Sequence, residues 1–137
     1  MTEQFLIIIG SSIFGMLGTI HLLYTFFTNK FNAYDPSVTE AMKSTSPILT
    51  KQTTIWNAWV GFNASHSLGA MIVAAFYIPL AVFNFEIIAG SVWFSTLPVV
   101  ISCSYLLLAK KYWFKIPFYG ILISAICFIL ASVLINT

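Results

Sequence analysis

Apolar residues run along this chain in four long blocks, and the polar positions inside them are few enough to take one by one. The blocks cover about residues 5–28, 55–83, 87–109 and 114–135. Each exceeds the roughly 18–20 residues that cross a hydrocarbon core. Period-two alternation, the mark of a membrane barrel, is absent. In lipid a segment must satisfy its own backbone, so the four blocks predict helices. The tail "MTEQ" is acidic and no small-residue cleavage site follows the first apolar run, which therefore reads as a span and not as a cleaved signal. Short polar turns, "NFE" at 84–86 and "KKYWFK" at 110–115, force antiparallel neighbours. The expected fold is all-α: an integral-membrane, up-down-up-down four-helix bundle forming one domain over residues 1–137. Pro79 and Pro98 fall inside spans two and three and predict kinks, whereas Pro117 falls in a first turn, where it is harmless.

The one sizeable connection is the loop 29–54, "NKFNAYDPSVTEAMKSTSPILTKQTT". Asp35 followed by Pro36 has the form of an N-cap and a first helical position. Val38, Ala41, Met42 and Thr45 follow at helical spacing. A short amphipathic helix between spans one and two, resting on the membrane surface with its lysines towards anionic headgroups, is the expectation. The functional alternative is a lid over a cavity on that side, but the loop has no catalytic or phosphate-binding motif.

Composition agrees with the pattern and adds direction. Hydrophobic residues make up 59% of the chain and charged residues 7%, far below the quarter or so that covers a soluble surface. All six cationic residues are lysines in two connections: Lys30, Lys43 and Lys51, then Lys110, Lys111 and Lys115. The positive-inside rule puts those loops in the cytoplasm and both termini outside, in a bacterial inner membrane. Trp56, Trp59, Tyr112 and Trp113 fall at the same boundary, as interfacial anchors do. Nothing suggests a nucleic-acid partner; the partner implied is the bilayer.

Helical spacing then sorts the polar positions. Ser11, Gly15 and Thr19 form a small-residue ridge on span one, and Gly61, Ser65 and Gly69 form one on span two. Such ridges let helices approach closely in lipid. Packing of the two ridges on each other is expected, with a homo-oligomer seam as the alternative. A different face carries His21 and Thr25 on span one, and Trp59, Asn63 and His66 on span two. Span three offers a stripe of Ser91, Ser95, Pro98, Ser102 and Tyr105, and span four one of Gly120, Ser124, Cys127 and Ala131. His21, Asn63 and His66 fall at comparable depths, roughly 10–16 Å from the cytoplasmic ends of their helices. A polar layer inside the bundle follows.

That layer carries the candidate chemistry. A small hydrophobic ligand would be met by His21, Thr25, Trp59, Asn63, His66, Ser102 and Tyr105. The alternative is haem b in electron transfer, with His21 and His66 as axial ligands and Gly18 and Gly69 giving a macrocycle room. Against haem, the chain has no arginine to pair with propionates. A second alternative is a structural or accessory subunit in which the same groups only hydrogen-bond. Cys103 and Cys127 fall at different depths and read as packing residues, not a bridge. No nucleophile elbow, acidic dyad or Cys-x-x-Cys occurs, so an enzyme is the least supported class.

The pairing of "GTIHLLYTF" with "WNAWVGFNASHSLGAM" resembles a group of small four-span bacterial membrane proteins. The resemblance extends over the whole chain and implies the four-span topology, without an activity. The chain lacks the span-one glutamate of the small multidrug exporters and the redox cysteine pair of the vitamin K epoxide reductase-like enzymes.

Overall fold

The structure, a computed structural model, describes residues 1–137. It contains helices and no strands. The helices are α1 (Thr2–Phe27), α2 (Pro36–Ser44), α3 (Ile55–Phe83), α4 (Phe85–Ala89), α5 (Val92–Tyr112) and α6 (Lys115–Asn136). Four of them, α1, α3, α5 and α6, are long and apolar enough to cross a membrane. The chain is thus a multi-pass, all-α membrane four-helix bundle, as the hydrophobic pattern predicts. Two compact units make it up: residues 1–17 with 70–137, and residues 18–69. The boundaries between them fall within α1 and α3.

The larger unit holds the apolar core. Ile7, Phe14, Tyr77, Ala81, Ile88, Ile121, Phe128 and Ala131 are buried together. Phe14 is central, with its ring centroid 5.3 Å from Tyr105 and 6.1 Å from Phe128. Gly10 lies under Phe128 so closely that a Cβ there would come within 2.8 Å of the ring. At Gly15 a Cβ would come within 2.8 Å of the Ala74 methyl.

Polar side chains in this unit go where the helices leave backbone groups unpaired. Pro98 has no N–H, so the carbonyl of Phe94, four residues earlier, loses its partner inside α5. The Tyr77 hydroxyl of α3 donates to that carbonyl at 3.1 Å. Gln4 Nε2 donates at 2.7 Å to the Ala81 carbonyl, which lies in the last turn of α3 and has no helical acceptor role left. Asn136 Nδ2 donates to Ser95 Oγ at 2.9 Å, joining α6 to α5. Each contact gives a partner to a polar group at a place where the helix itself supplies none.

Three expectations are corrected here. Span three, expected from residue 87, begins at Val92; the five-residue helix α4 intervenes, and the Ser91 side chain caps α5 by accepting from Phe94 N–H. The fully buried Ile88 anchors α4. The "KKYWFK" turn shrinks to Trp113 and Phe114, both extended, between α5 and α6. The small-residue ridges do not interlock: Gly61 and Ser65 are exposed, and a Cβ on Gly61 would meet nothing within 4 Å. On α1 the ridge is used only in part, since Ser11 is buried while Thr19 is exposed.

Candidate functional site

The smaller unit, residues 18–69, is built from the second half of α1, the loop with α2, and the first part of α3. Asp35 caps α2 as its sequence predicts: the carboxylate accepts from Ser37 N–H at 2.9 Å, with Pro36 opening the helix. Hydrogen bonds from Ser37, side chain before backbone, hold the Asp35 carboxyl below its ordinary range. The buried Thr39 hydroxyl accepts from Ala33 N–H at 3.0 Å, and Ile55 N–H donates to the Thr45 carbonyl at 2.9 Å. Trp59 Nε1 donates to the Phe31 carbonyl at 3.2 Å. These contacts fasten the loop to the end of α3.

His21 and Asn63 meet. His21 Nε2 and Asn63 Oδ1 lie 3.0 Å apart, and Asn63 Nδ2 lies 2.9 Å from the Trp59 carbonyl. A carbonyl can only accept, so the amide nitrogen must face Trp59 and the amide oxygen must face His21. His21 Nε2 therefore carries the proton and donates. Thr25 Oγ donates to the His21 carbonyl at 2.8 Å, and the fully buried Ser67 donates to the Asn63 carbonyl at 2.9 Å. Asn63 itself is only 7% exposed.

Rings surround this bond. His66 sits edge-on to His21 with centroids 5.6 Å apart, and the loop residue Phe31 lies 4.6 Å from His21 on centroids. Phe31 in turn stands edge-to-face with Trp59. Between loop and helices lies a cavity of about 380 Å³ whose walls include Thr25, Phe31, Trp56, Trp59 and Asn63, with Lys43 also lining it. Lys43 is paired with Glu40 at 2.8 Å and stands 5.7 Å from the Trp56 ring centroid.

No protein-family model, curated protein or solved structure matches the chain. The chemistry of the site rests on its own geometry.

Of the seven residues expected to meet a ligand, Thr25, Trp59 and Asn63 line the cavity. His21 stands behind Asn63 through their hydrogen bond, with His66 beside it. Ser102 and Tyr105 belong to the larger unit and are not among the lining residues. Ser102 is fully buried and donates to the Val99 carbonyl, and Tyr105 packs on Phe14 and Trp113. Sequence reasoning missed Phe31, Trp56 as a wall, and Ser67. Only the helical spacing of Ser67 from Asn63, i to i+4, could have pointed to one of them.

The two histidines are not arranged as the axial pair of a bis-histidine haem site. Axial ligation needs a lone pair on each ligating nitrogen, aimed at one iron from opposite faces. His21 Nε2 is instead committed to Asn63, which leaves the lone pair of this histidine on Nδ1. The two imidazoles meet edge to face, not across a slot. No group of three or more His, Cys, Asp or Glu side chains is placed to hold a metal ion.

Proposed function

We propose that this small membrane protein is a binding module, with the cavity of residues 18–69 holding a small hydrophobic ligand. The observation that carries the reading is a cavity of about 380 Å³ that sets the rings of Phe31, Trp56 and Trp59 beside polar side chains, among them Asn63, Asn29, Asn32 and Thr25. Its volume lies within the range of ligand sites, which begins near 300 Å³. In the same reading the lysine-bearing loops face the cytoplasm of a bacterial cell and both termini face outward. Helix α2 then lies on the inner membrane surface. The fully exposed Ile48 and Leu49 in the same loop support that placement, since they are apolar residues with no protein partner.

The test is to purify the full chain in mild detergent and analyse extracted small molecules by mass spectrometry. A compound enriched with the natural protein and lost on Val60→Phe, which fills the cavity, is the expected result. Val60→Phe must retain its helical circular dichroism for the comparison to count.

One observation favours a second reading, an accessory subunit without ligand: the His21–Asn63 bond by itself locks α1 to α3. Interhelical bonds in membranes contribute about 0.6 kcal/mol on average, enough to set register. Under that reading no compound co-purifies, and Val60→Phe changes stability alone.

A further inference from the structure

We infer that the ligand of this cavity is neutral and planar: a conjugated ring carrying a carbonyl oxygen, of the quinone or aromatic ketone class. The inference rests on the binding-module reading and deepens it. Three features of the lining carry it.

Charge comes first. The single cation lining the cavity, Lys43, is already neutralised by Glu40 at 2.8 Å. No carboxylate lines the cavity, so a cationic ligand would lose its hydration without gaining a counter-charge. With Glu40 beside Lys43, an anion gains less there than it would from an unpaired cation. A neutral ligand needs no counter-charge.

Hydrogen-bonding capacity comes second. Asn63 has two N–H donors and two acceptor positions on its oxygen. One donor goes to the Trp59 carbonyl and one acceptor position to His21. One N–H remains on a side chain that lines the cavity and is almost wholly shielded. A pure hydrocarbon would leave that N–H unpaired; a carbonyl oxygen satisfies it.

Shape comes third. Phe31, Trp56 and Trp59 present rings to the cavity, and an electron-poor carbonyl-bearing ring stacks well on the electron-rich face of an indole. The volume of about 380 Å³ is at the small end for ligand pockets and matches a one- or two-ring compound.

The experiment uses the full chain carrying Trp93→Phe and Trp113→Phe, so that only Trp56 and Trp59 of its four tryptophans report. At fixed detergent, 2-methyl-1,4-naphthoquinone is titrated and indole quenching followed. Quenching is then reversed with 2-methylnaphthalene, 1-naphthoate or the aromatic ketone 1-tetralone, none of which shares all the quinone's features. Saturable quenching is expected, with 1-tetralone displacing the quinone about tenfold better than 2-methylnaphthalene or 1-naphthoate. Asn63→Leu should weaken the quinone about five- to tenfold, the scale of one neutral hydrogen bond. Should that variant fail to fold, the displacement series on the natural Asn63 still decides. Equal displacement by 2-methylnaphthalene overturns the carbonyl assignment while leaving the pocket standing. Preferential displacement by 1-naphthoate overturns neutrality in favour of an anion. Quenching that is linear and reversed by nothing overturns the binding-module reading itself.

Discussion

Neighbouring residues on α1 show how finely position decides the effect of a methyl group. A Cβ at Gly10 would stand 2.8 Å from Phe128, a ring with no exposed surface. Gly10→Ala should therefore destabilise by about 1–3 kcal/mol, the range for overpacking a filled core. Ser11, the next residue, is buried with its hydroxyl unpaired. Ser11→Ala removes an unsatisfied polar atom and should be neutral or stabilising, by up to about 1 kcal/mol. Gly61→Ala on α3, which meets nothing, should likewise be neutral or mildly stabilising. Thermal unfolding in one detergent, followed by circular dichroism, orders the three. If Gly10→Ala were as stable as Gly61→Ala, the account of close approach at Phe128 would be wrong.

At the level of the helix, two features make opposite demands on the backbone. In α5, Pro98 frees the Phe94 carbonyl and Tyr77 occupies it. Tyr77→Phe should cost about 1–3 kcal/mol, because a part-buried carbonyl then loses its donor. Alanine at position 98 restores an N–H to the same carbonyl, so the Pro98→Ala background should remove most of that cost. A double-mutant cycle measures the coupling, and additive effects would break the link between the two residues. In α2 the cap is electrostatic and lies outside the spans. Hydrogen bonds from Ser37 lower the Asp35 pKa in the folded protein. The stabilisation is accordingly present above the ordinary carboxyl range and disappears as the pH falls through the lowered value. Protection of the Val38 and Thr39 amides, taken relative to their intrinsic exchange rates, should be present at neutral pH and lost as the pH falls below the ordinary carboxyl range. Asp35→Ala should lose that protection already at neutral pH.

For the whole molecule the question is orientation. The lysines of loop 29–54 and of the α5–α6 connection assign both to the cytoplasm in the proposed topology. Neither native cysteine is in a loop: Cys103 lies in α5 and the buried Cys127 in α6. In a Cys103→Ala, Cys127→Ala background, Lys43→Cys should resist a membrane-impermeant maleimide in intact cells and react once the cells are opened. Thr137→Cys should behave in the opposite way. Labelling of Lys43→Cys from outside would invert the topology without touching the fold or the cavity.

What the sequence determined by itself was what local physics imposes. Four spans follow from apolar length, because lipid admits only self-satisfied backbone. The α2 cap follows from Asp35-Pro36, because the capping partner is two residues away. The meeting of His21 with Asn63 was legible because helical spacing and depth together bring few polar groups to one level. Tertiary structure decided the rest, and the reason is rotational. Small residues fit against lipid as easily as against a helix, so spacing could not say which way Gly61 and Ser65 face; they face outward. Nor could it place Phe31 over His21 or Tyr77 on the Phe94 carbonyl. Those contacts depend on how a loop returns and how far each helix turns about its axis. The cavity exists only because the loop returns over it.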